Sequence, residues 1–321
     1  MPAPLIILDY AVKTQYNKAM TNLLSALKFF DGTYILSWGD GKGITFYGFF
    51  IALSILLGGV FGYMLSKKRG YPTDTVIDIL LWCVPLAVIG ARVYYIVFTA
   101  IDGYKWTFGG LFDIKSGGLA IYGAILFAIL GGWLLSLYYK KRNIKDAEKI
   151  KDGTLKPKPT FFQIADLGAP FFILGQAIGR IGCYFSQCCY GNPVTNPAWQ
   201  KFPFASFITD TGGWHLATYF YESAWCLLGL GIMIWLSLKK KRPFDGFVFS
   251  FYLMFYGAGR FALEFLRTYN DDTLWLIPGK IQASMAVAVV MFVWGAWILG
   301  KKLYERYKAK QANGNKPMHN A

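Results

Sequence analysis

The amino-acid sequence predicts an all-α polytopic membrane protein of about seven transmembrane helices, with the N-terminus outside and the C-terminus in the cytoplasm. Three observations carry this expectation. Seven apolar runs of about 20 residues can be read, each long enough at about 1.5 Å per residue to cross a hydrocarbon core. The chain is 55% hydrophobic and only 16% charged, a balance foreign to a water-soluble domain. Its basic residues gather in alternate connections between the runs, as topology signals do.

The runs lie at 44–65, 75–99, 117–139, 160–187, 217–238, 246–266 and 281–300, and the first, third and seventh hold no charged residue. A spanning segment must satisfy its own backbone N–H and C=O groups, which leaves a helix or a closed barrel. Barrel strands would alternate in polarity over about ten residues, and these runs do not. Ahead of them, 1–43 is expected to be an external lead-in. Met20, Leu23, Leu24, Leu27 and Phe30 recur there at helical spacing, which suits a helix lying on the membrane surface or one packed on the outer face. Residues 44–300 then form one transmembrane domain. The mixed-charge stretch from Lys140 to Lys158 reads as a cytoplasmic loop, and 301–321 as a polar cytoplasmic tail, disordered from 305 onward. The opening residues show no basic start followed by a small-residue cleavage site, so the first run is expected to stay as a helix.

Orientation follows from the Lys and Arg counts. Segments 66–74, 140–159, 239–245 and 301–321 hold 3, 8, 4 and 6, together 21 of the 33, whereas 100–116, 188–216 and 267–280 hold 2, 1 and 2. The first set is therefore assigned to the cytoplasm. The net charge of +15 would suggest phosphate neutralisation in a soluble protein. Here it is absorbed by the connections, and no nucleic-acid partner is expected. Aromatics at 18% fit rings lodged at membrane interfaces. The five cysteines include no C-x-x-C pair and there are two histidines, so neither a metal nor an organic cofactor is expected. Cys188-Cys189 reads either as a redox pair or as small filler at a helix end.

An ionisable group at bilayer depth costs roughly 2.5–3.5 kcal/mol on insertion scales, so each one asks for a reason. With the orientation above, Arg92, Arg180, Glu222, Arg260, Glu264 and Arg267 fall toward the outer leaflet, together with Tyr47 and Tyr122. Eight polar residues from six spans thus share one depth band. Asp78 and Asp166 fall toward the cytoplasm near the starts of their own helices, where a carboxylate favours the dipole. Tyr256, Arg260, Glu264 and Arg267 follow i, i+4, i+8 and i+11, one stripe of the sixth span. Arg260 and Glu264 can be read as a site or as a pair that fixes packing. An arginine excess suits a phospholipid headgroup, because the guanidinium stays charged and its planar fork matches two phosphate oxygens. The strongest local motif is Gly179-Arg180-Ile181-Gly182-Cys183-Tyr184-Phe185, continuing through Ser186-Gln187-Cys188-Cys189-Tyr190-Gly191. Gly179 and Gly182 thin the helix beside Arg180, so that a neighbour or a lipid chain can approach it.

From about 44 to 300 the chain resembles the bacterial prolipoprotein diacylglyceryl transferases. Asp166-Leu167-Gly168-Ala169-Pro170 leading into Gly179-Arg180-Ile181-Gly182 is similar to that family's signature. Tyr47-Gly48, Gly90-Ala91-Arg92, Ser116-Gly117-Gly118, Tyr221-Glu222-Ser223, Gly259-Arg260-Phe261 and Glu264-Phe265-Leu266-Arg267 resemble it in the same order. The resemblance implies a multi-pass enzyme of the bacterial plasma (inner) membrane. It would move the diacylglyceryl group of phosphatidylglycerol to the lipobox cysteine of prolipoprotein signal peptides, forming a thioether among membrane lipids. It also implies that Arg180 and Arg260 hold the headgroup phosphate and stabilise the leaving group. Glu264 would orient Arg260, and Tyr47 would be a hydrogen-bonding residue of the site. Glu222, Arg92, Arg267, Gly179 and Gly182 complete the expected substrate-binding set.

The sequence departs from the family pattern at three places. Tyr122 is the nearest counterpart of a histidine often found near the opening of the third span. Cys183 and Cys188 stand where asparagine and an acidic residue are frequent. His215-Leu216-Ala217-Thr218 shifts a histidine by one place. Tyr122 is therefore the expected proton acceptor, with His215 second. A divergent relative with altered lipid transfer, and a membrane transporter, are the alternative readings.

Overall fold

The computed structural model describes residues 27–31, 34–38, 43–101, 103, 104, 106, 107, 109, 118, 120–239, 242–268, 275–277 and 281–314. Its long elements are helices: α1 (Phe46–Lys68), α2 (Thr75–Ile101), α3 (Ile121–Lys145), the short α4 (Ala147–Lys151), α5 (Phe161–Phe185), α6 (Thr218–Leu238), α7 (Phe247–Glu264) and α8 (Ala283–Gly314). Six of them, α1, α2, α3, α5, α6 and α8, are long and apolar enough to cross a membrane. Side chains such as Leu56, Leu81 and Val290 are more than half exposed on these helices, as expected of surfaces solvated by lipid rather than water. The protein is a multi-pass, α-helical membrane protein. The run at 246–266 forms α7, which at 18 residues is shorter than the other six and carries Arg260 and Glu264 inside it.

The chain divides into two compact units. The larger comprises Ile55–Gly175, Trp225–Phe265 and Asn270–Ala321. In it α2 packs along α3, and α7 along α8. The first pairing is close because a Cβ on Gly123 would lie 2.2 Å from Gly90 O, an approach that only small residues permit. At one end of these helices Leu135, Tyr139 and Ile164 form a buried cluster. There Tyr139 donates its hydroxyl to Asp78, at 2.7 Å, and Lys158 pairs with Asp74 and Asp78.

Asp166 does not serve the start of its own helix, as its sequence position suggested. It is fully buried, and it accepts from Gly246 N at 3.0 Å, Phe249 N at 2.9 Å and Arg242 at 2.7 Å. The carboxylate therefore caps α7, a helix eighty residues further on, and satisfies donors that a helix N-terminus leaves unpaired.

The smaller unit comprises Met1–Ser54, Gln176–Ala224 and Leu266–Tyr269. Strands β1 (Leu27–Asp31), β2 (Tyr34–Trp38) and β3 (Gly43–Thr45) make an antiparallel sheet in the order β1-β2-β3. This corrects part of the expected surface helix. Leu27 and Phe30 belong to β1, which pairs antiparallel with β2 in a register that includes Leu27↔Trp38, Phe29↔Leu36 and Asp31↔Tyr34. Met20, Leu23 and Leu24 lie outside the described residues. Two further strands, β4 (Ala205–Ile208) and β5 (Gly213–Leu216), form a hairpin between α5 and α6. The start of α1 meets the end of α5 through the stacked rings of Phe46 and Phe185, with centroids 4.1 Å apart.

Two connections are more helical than expected. α3 runs on to Lys145 and α4 follows, within the stretch read as a loop. α8 continues to Gly314, through residues expected to form a disordered tail. The reason is local. Leu303, Glu305, Arg306, Lys308, Ala309, Lys310 and Gln311 are strong helix formers, and an apolar helix already in place removes the cost of nucleation.

Candidate active site

The charged groups singled out in the sequence fall into three arrangements. The first belongs to the smaller unit. Arg180, in the second half of α5, places Nη2 2.6 Å from Glu222 Oε1 of α6. Their side chains are only 19% and 4% exposed. Charges so shielded are costly to desolvate, and a short hydrogen-bonded contact is needed to offset that cost. α5 and α6 are fastened beside the pair by Ser223, whose hydroxyl donates to Ala177 O at 2.9 Å. Arg180 also approaches Cys183 Sγ, at 3.9 Å. Gly179 faces open space, since a Cβ there would meet no heavy atom within 4 Å. Among the described residues no neighbour requires its smallness. Gly182 is buried.

Beyond α5 the chain turns through Gln187 and Cys189, non-glycine residues with φ of 45° and 60°. Such a backbone costs about 1–2 kcal/mol per residue and must be held by its surroundings. Gln187 Oε1 accepts from Thr209 N at 2.9 Å, and Cys189 O from Thr218 Oγ1 at 2.7 Å. The turn gathers the sulfurs of Cys183, Cys188 and Cys189 within 4.8 Å of one another. Cys189 is the thiol whose ionised form is favoured, by hydrogen bonds from Cys183 and Cys188 and then by the charges of Arg267 and Arg180. Cys188 is held in its protonated form by its bonds with Cys183 and Cys189.

Gly191 follows in a narrow space. A Cβ would lie 2.3 Å from Leu266 O and 2.6 Å from Thr218 Cγ2, so only glycine fits. Its carbonyl accepts from Thr268 Oγ1 at 2.5 Å and from His215 Nδ1 at 2.9 Å. His215 is 7% exposed, and its Nε2 lies 3.0 Å from Thr211 Oγ1. Both ring nitrogens of His215 are thus engaged in holding the loop. Arg267 is half-buried and pairs through a β-bridge with Gly191.

The second arrangement lies in the larger unit. Arg260 Nη1 is 2.9 Å from Glu264 Oε2, one turn on along α7, with side-chain exposures of 12% and 3%. Glu264 Oε1 accepts from Ser284 Oγ of α8 at 2.6 Å. The stripe expected along this helix therefore ends at Glu264. α7 stops there, and Arg267 is placed by its strand-like bridge rather than by helical periodicity.

The third arrangement, also in the larger unit, surrounds Arg92, which is 6% exposed. Its Nη1 donates to Gly118 O at 3.1 Å, and its guanidinium lies 5.0 Å from the Trp106 ring centre and 5.7 Å from that of Tyr95. Gly118 has φ +72°, and a Cβ on it would come within 2.7 Å of both Tyr95 and Arg92. Together with the bond from Ala120 N to Ala91 O at 3.0 Å, Arg92 tethers the segment entering α3. Tyr122 stands in the first turn of that helix, half-buried, its ring 6.3 Å from that of Tyr94. Tyr47 is the second residue of α1, and its side chain lies outside the described residues.

The structure thus joins Arg180 to Glu222, Arg260 to Glu264, and Arg92 to the chain ahead of Tyr122. Reading the sequence named Ser223 only within a motif and missed its bond joining α6 to α5, the bond from Ser284 to Glu264, and the meeting of three cysteines. A serine next to a charged residue inside an apolar run, as Ser223 is next to Glu222, is a usable signal, because such hydroxyls commonly bond across helices.

Comparison with known proteins gives a consistent answer. Residues 34–300 match the family described as prolipoprotein diacylglyceryl transferase. The phosphatidylglycerol–prolipoprotein diacylglyceryl transferase of Lysinibacillus sphaericus is 34% identical over 275 residues, covering 84% of this chain and 90% of the relative. The enzyme of the same name from Finegoldia magna is 34% identical over 255 residues, covering 79% and 90%. That from Clostridium botulinum is 35% identical over 251 residues, covering 77% and 88%. The chain belongs to the prolipoprotein diacylglyceryl transferase family.

Proposed function

We propose that this protein transfers the diacylglyceryl group of phosphatidylglycerol to the lipobox cysteine of a prolipoprotein, at the outer face of the bacterial plasma membrane. The observation that carries the reading is the Arg180–Glu222 pair, a permanently charged fork fixed inside an apolar helix of a chain from this family. Phosphatidylglycerol offers one anionic phosphodiester, and a guanidinium is the side chain that matches its oxygens in plane.

In the proposed reaction the cysteine thiol loses its proton and its sulfur attacks the glyceryl carbon bonded to the phosphate oxygen. A carbon–sulfur bond forms, and the carbon–oxygen bond breaks with its electron pair remaining on oxygen. Glycerol phosphate leaves. Arg180 and Arg260 are assigned to the phosphate, where charge develops as that bond breaks. Glu222 and Glu264 set the orientation of the two guanidinium groups. Tyr122 is assigned to the thiol proton, and Arg92 keeps its segment in place. Tyr47 and Arg267 are assigned to hydrogen bonding with the headgroup, and open space at Gly179 supports passage of an acyl chain beside Arg180. The basic connections 66–74, 140–159 and 239–245, with the helical extension of α8, are assigned to the cytoplasmic side.

The test combines purified protein, phosphatidylglycerol and a synthetic lipobox peptide in detergent, with Arg180→Ala run beside the wild type. A diacylglyceryl-sized mass gain on the peptide cysteine, lost in the variant, is the expected result. No gain, while another member of the family works in the same mixture, would overturn the assignment and favour a divergent relative with a different acceptor.

A further inference from the structure

We infer that Cys183, Cys188 and Cys189 form a three-thiolate site for a thiophilic metal ion of the Zn(II) class, at the end of the helix that carries Arg180. The three sulfurs lie within 4.8 Å of one another. Three thiolates around one ion at a metal–sulfur distance of about 2.3 Å stand about 4 Å apart, so closing on the ion needs shifts of under an ångström. The turn holds this arrangement without the ion. Cys188 N donates to Cys183 O at 3.1 Å, and Cys189 O is fixed by Thr218.

The surroundings suit such a site. Cys183 is buried with Ala217 and Tyr219, and Cys188 and Cys189 pack against the same apolar cluster, which shields metal–sulfur bonds from water. Entry of a divalent ion expels the remaining thiol protons to solvent and, with three thiolates, leaves a net charge of −1. Arg180, 3.9 Å from Cys183 Sγ, offsets that charge. Three protein ligands leave a fourth position for a water molecule.

A disulfide is the competing fate of clustered thiols, but it explains the cluster less well. Cys188 and Cys189 are adjacent in sequence, so one bridge to Cys183 would leave a third thiol without use. The metal reading employs all three, and it stands apart from the transfer reaction because its readout is metal content.

The experiment uses full-length protein in detergent, reduced with a non-thiol reductant, equilibrated with Zn(II), desalted and assayed by mass spectrometry of metals. Wild type and Cys226→Ser, which lies outside the cluster, are expected to retain about one ion per chain, whereas Cys183→Ser and Cys188→Ser fall by roughly tenfold or more. Gel filtration checks that the variants remain monodisperse. Should either fail to fold, Co(II) added to wild type provides a second readout through the thiolate-to-metal charge-transfer band in the near ultraviolet. Wild type without bound metal, retention equal in the cluster variants, or an intact mass short of two hydrogens with no metal uptake would each overturn the proposal.

Discussion

Glu222→Gln tests whether the carboxylate beside Arg180 has a part in function beyond holding two helices together. The substitution keeps shape and one acceptor oxygen while removing the charge. In the structure the contact includes a short bond of 2.6 Å, with 19% of the arginine side chain and 4% of the glutamate side chain exposed. Two unit charges about 4 Å apart interact by about 4 kcal/mol at an effective dielectric near 20, and desolvation consumes much of that. What remains to orient the fork is the worth of one charge-assisted hydrogen bond, about 1.5–3 kcal/mol. At 1.36 kcal/mol per decade, this corresponds to a loss of roughly 10- to 100-fold in kcat/KM. α5 and α6 should stay in register, because Ser223 bonds to Ala177 O independently. The peptide mass-shift assay at varied phosphatidylglycerol gives kcat/KM, and a detergent melt reports on the fold. Wild-type kcat/KM in Glu222→Gln would refute the reasoning, as would a loss of activity explained wholly by unfolding.

Three further predictions follow from other parts of the molecule. Tyr122→Phe retains the ring contact with Tyr94 and should lower turnover by about 10²- to 10⁴-fold if the hydroxyl accepts the thiol proton; unchanged turnover in the same assay would exclude it. Asp166→Ala removes three bonds to one fully buried carboxylate and leaves Arg242 without its partner. It should lose about 3–5 kcal/mol, read as a fall in thermal midpoint, and a midpoint within a degree of wild type would refute the capping argument. For Asp74, partial burial raises the carboxyl, but the Lys158 ammonium bonded to it prevails and holds it below the usual range. A depressed value contributes stability above the unfolded pKa of about 3.9, and loses it as pH falls through the folded value. Wild type should therefore exceed Asp74→Asn in stability at neutral pH, by no more than about 1 kcal/mol for so exposed a carboxylate. The difference should shrink in melts as pH is lowered below about 4, and a difference that grows on acidification would contradict the sign.

The helices were legible because lipid imposes a simple rule: a crossing segment must be apolar and must bond to itself. α1, α2 and α5 begin and end within three residues of their expected bounds. The errors lie where that rule does not act. In 1–43 the spacing of Leu27 and Phe30 fits a helix as well as a strand, and a hairpin decided it. In 305–314 polarity suggested disorder, but helix propensity and an adjoining apolar helix prevailed. Asp166 was correctly seen as a group that favours a helix start. Which start it serves depends on a contact between residues eighty positions apart, and spacing along one helix carries no information about that.

The same distinction separates what could be read of the candidate site from what could not. Arg180, Glu222, Arg260 and Glu264 stood out because charge inside an apolar run is costly, so any that persists has a partner or a task. Their pairing supplies the partner and also bears on the task. An arginine stabilised only by dispersed polar contacts could swing with its flexible stem. One joined to a buried carboxylate, itself fixed by a serine as Glu264 is by Ser284, presents its fork in one orientation. Catalysis of a bond cleavage that places charge on a phosphate needs donors already aimed where that charge will appear. The serines and carboxylates are therefore as much part of the device as the arginines. The signal that identifies them is weaker only because a neutral hydroxyl in a membrane helix costs so little to insert.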